Sequence, residues 1–206
     1  MKHKLIRFPL IALLALLSAS CASVLAPNVT TEASALRAGS YKLDPAHATL
    51  LFKIGHLELS TYVGRFNTFD VSLDFDEASP ETARLEAIVA VRSLDVNNPP
   101  FAEKLIGPAW FDTENHPEAR FVSTGITVTG KTTGVVTGEL TLKGITRPVS
   151  MEVTFIGGAR NTINQRYTVG FEGRMVIDRI AFGSDRYQGL LSDDVTLEFY
   201  GEFIRQ

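Results

Sequence analysis

Alternation of apolar and polar side chains with a period of two constrains this chain more than any other feature. Phe69, Val71, Leu73 and Phe75 alternate with Asp70, Ser72, Asp74 and Asp76. Val149, Met151, Val153 and Phe155 alternate with Ser150, Glu152 and Thr154, and Val195, Leu197 and Phe199 with Thr196, Glu198 and Tyr200. Successive side chains of a strand point to opposite faces, so each run buries one face and wets the other. That is the antiparallel habit; strands of a parallel sheet, covered on both faces, read as continuous apolar runs. The pattern predicts about eight strands, at 48–54, 65–76, 82–93, 118–129, 134–142, 147–157, 167–178 and 193–205. Turn residues separate them: Ser79-Pro80, Gly130, Gly144 with Pro148 nearby, Gly157-Gly158, and Gly183 through Gly189. A short helix is expected near Pro100–Leu105, and no period of the propeller or solenoid kind repeats.

Eight strands of this length close naturally into a barrel, which leaves no edge exposed. A barrel of that size has an interior that side chains fill or that holds one small ligand. Ala87, Gly138 and Gly173 share the phase of the inward residues. They either leave a void or accommodate curvature and neighbouring aromatic rings. A transmembrane barrel would also alternate, but Asp70, Asp74, Glu152 and Glu198 would then face lipid. One Trp and five Tyr are too few for the two aromatic girdles such barrels carry.

Residues 1–20 read as an export signal. Lys2, Lys4 and Arg7, with no acid, precede the apolar run Phe8–Leu17, which is too short to cross a bilayer core of about 30 Å. Ser18-Ala19-Ser20 supplies small residues, and the chain's single Cys, Cys21, follows at once. Small residues before a lone cysteine resemble the lipobox of bacterial lipoproteins, with Ser18 where Leu is usual. Lipidation at Cys21 is one reading; ordinary cleavage that leaves a free thiol is the other. Removal of the signal moves the formal charge from −3 to −6. An acidic mature chain has little electrostatic attraction for anionic head groups, so membrane attachment would rest on the covalent anchor. Residues 21–40 are small and polar and read as a flexible tether, followed by one domain at 41–206. The acidic balance also excludes nucleic acid as a partner.

A lone cysteine excludes an internal disulfide framework and multi-cysteine metal clusters. No G-x-S-x-G elbow, H-E-x-x-H helix, Walker loop or G-x-G-x-x-G turn occurs. His47, His56 and His116 lack metal-ligand spacing, and no metal or other cofactor is expected. Asp44 lies three residues before His47 with no nucleophile beside them, which reads as a hydrogen bond across a turn. Asp178-Arg179 reads as an ion pair closing a barrel end.

Several blocks carry a family resemblance. Tyr41-Lys42-Leu43-Asp44-x-x-His47, Phe52-Lys53-Ile54-Gly55-His56-Leu57 and Val63-Gly64-Arg65-Phe66 resemble the opening of the YceI-like family. Gly138-Glu139-Leu140-Thr141-Leu142-Lys143-Gly144-Ile145-Thr146-Arg147-Pro148-Val149 is similar to that family's most recognisable block. Asp178-Arg179-x-Ala181-Phe182-Gly183 and Leu191-Ser192-Asp193-Asp194-Val195 match its closing segments in order. The resemblance implies an exported, lipocalin-like antiparallel barrel that binds polyisoprenoid or other long-chain amphiphiles, often as a homodimer, with no established catalysis. The departure lies between Val96 and Phe111, where the family's Arg-Asp pair is missing. Trp110-Phe111-Asp112 and His116-Pro117 keep the end of that block. Trp110 is either a rim anchor or a lid packed on the core.

The sequence therefore predicts an all-β, eight-stranded lipocalin-like barrel with one short helix, periplasmic and anchored to a membrane through lipidated Cys21. Its inner wall is expected to include Leu50, Phe52, Phe69, Val71, Leu140, Met151, Val153, Val169, Phe171, Gly173 and Leu197. The function expected is binding or carriage of an isoprenoid or long-chain lipid, not catalysis. Two other classes remain open: a lipid-modifying enzyme using His47 or His56 at the barrel mouth, and an envelope interaction module with a filled interior.

Overall fold

In the computed structural model, which describes residues 26–32, 36–76 and 79–206, one antiparallel sheet curls round and closes on itself. Its strands are β1 (Gly39–His56), β2 (Ser60–Phe66), β3 (Phe69–Phe75), β4 (Arg84–Ala90), β5 (Leu94–Asp95) and β6 (Glu118–Val128). β7 (Thr133–Leu142), β8 (Ile145–Arg160), β9 (Tyr167–Asp178) and β10 (Leu191–Arg205) complete it. The ring runs β1-β3-β4-β6-β7-β8-β9-β10 and closes through β10 on β1. This is the eight-stranded closed barrel that the alternation predicts.

The two extra strands arise from two breaks in the chain, one in each of two neighbouring strands. The run 65–76 is interrupted at Asn67-Thr68, leaving β2 on the far half of β1 and β3 on the near half. The neighbouring strand breaks at the same height, where a 3-10 turn, Val91–Ser93, separates β4 from β5. The Ser93 hydroxyl joins the two breaks: it donates to Ala90 O at 2.7 Å and accepts from Thr68 N at 2.9 Å. Side chain-to-backbone bonds of this kind offer the chain an alternative to the ladder.

β1 begins nine residues earlier than expected, because Tyr41 already pairs with both β10 and β3, and Leu43 with β10. The register with β10 then slips between Leu43 and Ala48, and Asp44–His47 bulge outward. Pro45, which has no N–H for the ladder, sits in this bulge. Smaller bulges leave Thr124 in β6 and Ile156 in β8 without a partner. The β7–β8 hairpin turns on Lys143 and Gly144, both at positive φ, the backbone of a tight two-residue turn.

The helix expected at Pro100–Leu105 is α1 (Pro99–Ile106). Asn98 caps it by accepting from Phe101 N at 3.2 Å, and two prolines occupy its first turn, where their missing N–H groups cost nothing. Leu105 and Ile106 pack with Leu94, Val96, Phe52 and Phe66 and fill the end of the barrel beneath the β1–β2 and β7–β8 turns. Trp110 belongs to the same packing and lies 5.7 Å from the Tyr187 ring, so it is part of this plug.

Arg179 holds the long β9–β10 connection at the plugged end. Only 6% exposed, its guanidinium donates to the carbonyls of Ser192, Ser184, Arg186 and Leu191 and reaches Asp193 Oδ1 at 3.3 Å. The expected pairing with Asp178 is not made; Asp178 instead accepts from Ile180 N at 2.8 Å. Asp178 ends β9 while Arg179 already has the helical backbone of the turn that follows, and its guanidinium is taken up by the carbonyls of the β9–β10 connection.

The opposite end carries the β3–β4, β6–β7 and β8–β9 turns and both described ends of the chain. Part of the segment expected as a free tether packs here. Leu36 is buried in the core, the Tyr41 hydroxyl donates to Arg37 O, and Arg205 Nε donates to Ala38 O at 2.8 Å. Thr30 and Gly158 exchange backbone hydrogen bonds at 2.9 and 2.8 Å. β8 runs past the end of β7 and leaves a free edge at this point, which the N-terminal segment covers. The expected signal, residues 1–20, and Cys21 lie outside the described residues.

Candidate functional site

Between the plug and the open end lies a cavity of about 600 Å³. Its wall is built by the inward phase of the ring strands: Leu50 from β1, Phe69, Val71 and Leu73 from β3, Leu85 and Ala87 from β4, Phe121 and Ile126 from β6. Val136 and Leu140 come from β7, Met151, Val153 and Phe155 from β8, Val169, Phe171 and Gly173 from β9, and Leu197, Phe199 and Phe203 from β10. Glu32, Lys131, Thr132 and Thr133 stand where the cavity opens, beside the β6–β7 hairpin. An apolar shaft with a few polar groups at its mouth can hold a tail by exclusion of water and leaves a head group in solvent.

Aromatic rings line one side of the shaft in sequence. Phe69 meets Phe199 edge to face at 6.2 Å, Phe199 meets Phe203 at 5.8 Å, Phe203 meets Phe171 at 5.9 Å, and Phe171 meets Phe155 at 5.4 Å. Such pairs stiffen a wall that has open space on its other side. The small inward residues divide between the two readings open at the outset. Gly138 has no room for a side chain, because the Phe121 ring occupies that space, 2.5 Å from where a Cβ would be. Ala87 and Gly173 face the cavity.

Ten of the eleven residues expected on the inner wall line this cavity: Leu50, Phe69, Val71, Leu140, Met151, Val153, Val169, Phe171, Gly173 and Leu197. Phe52 does not. Its ring lies against Phe66 at 6.0 Å and over Gly64, inside the plug. Phe52 has the correct phase but sits one step too deep, where α1 has already filled the barrel. Phe155, Phe199 and Phe203 were absent from the expected set although they follow Val153 and Leu197 in phase. Leu36, which no alternation announces, also contributes.

Tyr41 is the buried polar group nearest this wall. Desolvation by burial, reinforced by Tyr167, pushes its phenol up to about 12, so it stays neutral and donates to Arg37 O. Arg37 stacks over the Tyr167 ring at 4.6 Å, which fastens the N-terminal segment to the open end.

The histidines are elsewhere. His47 is exposed on the outer face of the β1 bulge, with Nδ1 2.9 Å from Asp44 Oδ2, the hydrogen bond expected there. Glu202 of β10 completes a trio whose possible ligand atoms lie within 4.8 Å of one another, on the outside of the barrel. His56 ends β1 at the plugged end, and His116 packs beneath Gly144. Among the described residues that line the cavity there is no His, Ser, Cys or Asp.

A closed eight-stranded antiparallel barrel around an apolar shaft places the protein in the lipocalin-like fold class. The chain belongs to the YceI-like domain family, whose model matches residues 41–203. It is similar to a UPF0312 protein of Azotobacter vinelandii, 34% identical over 171 residues, which cover 82% of this chain and 88% of that one. Among solved structures it is similar to Burkholderia cenocepacia BcnA, with 26% identity and a TM-score of 0.70 over 78% of this chain and 98% of that one. A polyisoprenoid binding domain from Saccharophagus degradans, implicated in plant cell wall breakdown, shares the fold. Its identity is 13% and its TM-score 0.59, over 82% of this chain and 100% of that one.

Proposed function

We propose that this protein is an exported carrier that shelters the tail of a polyisoprenoid or another long-chain lipid inside its barrel. The observation that carries the reading is the cavity itself: about 600 Å³, walled by aliphatic and aromatic side chains and open at one end. At roughly 30 Å³ for a unit the size of a water molecule, this accommodates about twenty carbons, or about four isoprene units. Each methylene moved from water into such a shaft contributes about 0.8 kcal/mol. Tail length then governs affinity, and a longer chain protrudes at the mouth beside Glu32, Lys131 and Thr132. A solved polyisoprenoid binding domain of the same fold supports the ligand class. Open space at the centre also speaks against the reading as a filled interaction module, and the outward His47 against the enzyme.

The export signal and Cys21 support a periplasmic site of action with a lipid anchor. Protein purified from its native envelope without detergent should yield a prenyl or long-chain acyl lipid by mass spectrometry of the solvent extract. A lipid-free protein that also takes up no labelled prenyl alcohol would end the carrier reading. Cys21→Ala should move the protein from the membrane to the soluble periplasmic fraction; unchanged fractionation removes the anchor and leaves the cavity reading intact.

A further inference from the structure

Exposed apolar side chains flank the cavity mouth along its β6–β9 side, on separate segments. Val128, at the end of β6, is 61% exposed and lines the cavity at the same time. Ile156 is exposed at the β8 bulge, and Ile163, 84% exposed, lies in the β8–β9 turn. Val29 sits over Gly157 on the N-terminal segment and is also exposed. Backbone bonds hold these segments side by side: Phe155 N donates to Thr132 O at 2.7 Å, and Thr30 pairs with Gly158. At Val128 the cavity wall therefore runs into the outer rim.

The covalent chain says what faces this rim. Thr30 is nine residues from Cys21. An extended chain spans at most about 3.6 Å per residue. An anchor at Cys21 thus keeps Thr30, and the mouth beside it, within about 32 Å of a bilayer surface. The plugged end also exposes apolar side chains, Leu57 and Leu59 among them, but it lies a barrel's length from the point where this segment departs.

We infer that the mouth rim docks on a lipid bilayer and that the tail passes between membrane and cavity without crossing water. This rests on the carrier reading proposed above. The physical reason is that a long tail exposed to water meets the full hydrophobic cost, so a rim seated in the interface removes the slowest part of the transfer. Val29, Val128, Ile156 and Ile163 supply the apolar surface that such seating requires.

The test uses the full chain carrying Cys21→Ala, so that docking is read without an anchor. Flotation with vesicles of phosphatidylethanolamine and phosphatidylglycerol measures docking. Movement of a fluorescent prenyl alcohol between vesicles measures transfer, and uptake from detergent micelles measures the cavity alone. Val29→Asp with Ile163→Asp, neither of which lines the cavity, should lower flotation and the transfer rate by about tenfold and leave micellar uptake unchanged. Leu59→Asp, at the plugged end, should behave as the parent in all three. The inference is overturned if the rim variant floats and transfers like the parent, or if Leu59→Asp is the variant that falls. A parent that floats but takes up no tail from micelles would end the carrier reading and keep the docking surface. A parent that takes up the tail and never floats would do the reverse.

Discussion

The sulfur of Met151 lies over Gly173, 2.9 Å from where a Cβ on that residue would sit. Met151 and Gly173 are on adjacent strands and both face the cavity. Gly173 does not have a positive φ, so its backbone accepts any side chain. The nearest obstacle is the flexible end of a methionine, which can turn aside into open space. We expect Gly173→Leu to abolish retention of a long prenyl probe while stability changes by less than about 1 kcal/mol. Overfilling a dense core would instead cost about 1–3 kcal/mol. Thermal denaturation beside a fluorescent-prenyl titration checks this; a large loss of stability with ligand retained would show that the space is not the binding site.

Arg179 should be worth more than its single ion pair with Asp193. Its guanidinium donates to four carbonyls and to Asp193, and all five contacts are lost if it is removed. Arg179→Ala is expected to destabilise by about 1–3 kcal/mol, the range for buried acceptors that lose their donor, because Asp193 is half-exposed and is not left as a buried charge. Arg179→Lys should recover only a minor part, since an ammonium cannot present a planar fork to several carbonyls. Denaturant melts of the three proteins decide it, and near-equality of lysine and arginine would refute the network.

His47 and Asp44 set a pH window. The Asp44 hydrogen bond, with the charges of Asp44 and Glu202, holds the imidazolium above its ordinary 6.5. The same hydrogen bond holds Asp44 below its ordinary 3.8. A raised histidine stabilises the fold fully below its unfolded value, and that contribution is lost as pH rises through the folded value. A lowered carboxylate stabilises above its unfolded value, lost as pH falls through the folded one. The pair therefore contributes most between about pH 4 and 6.5. Both groups are accessible to solvent, which limits the effect to about 0.2–1 kcal/mol. NMR titration should find His47 above 6.5 in the native chain and lower in Asp44→Asn; an unchanged value would break the pairing.

Alternation made the barrel legible because it records which face of each strand is buried, and eight such runs leave little choice of closure. It records nothing about depth along the axis. Leu50 and Phe52 share one phase, yet Leu50 lines the cavity and Phe52 lies in the plug against Phe66. What separates them is α1, delivered from the other side of the chain, and Gly64, whose missing side chain gives the Phe52 ring its place. Leu36 was invisible for the opposite reason: a single apolar residue in a polar segment has no period to betray it. The partner of Arg179 was misread as its sequence neighbour because the strand ends between the two, and the turn that begins at Arg179 sends its side chain to carbonyls and Asp193 up to fourteen residues on.

The division of the barrel into plug and cavity makes a final expectation. Leu105 is buried in α1 among Leu94, Val96 and Ile106, away from the cavity wall. Leu105→Ala should therefore cost about 2–5 kcal/mol, as a deleted core side chain does. For a chain of this size that corresponds to roughly 2–4 °C of melting temperature for each kcal/mol. Below its new melting temperature the variant should still bind the full complement of prenyl probe. Ala87→Phe should do the opposite. Ala87 faces the cavity from β4 between Val71 and Phe121, so an aromatic ring there extends into the space a tail would occupy. Stability should hold within about 1 kcal/mol, in contrast to the cost of overpacking, while probe binding is lost. Calorimetry and probe stoichiometry on the two variants separate the roles. If Leu105→Ala empties the barrel while it is still folded, or Ala87→Phe keeps its ligand, plug and cavity are not the independent parts their packing describes.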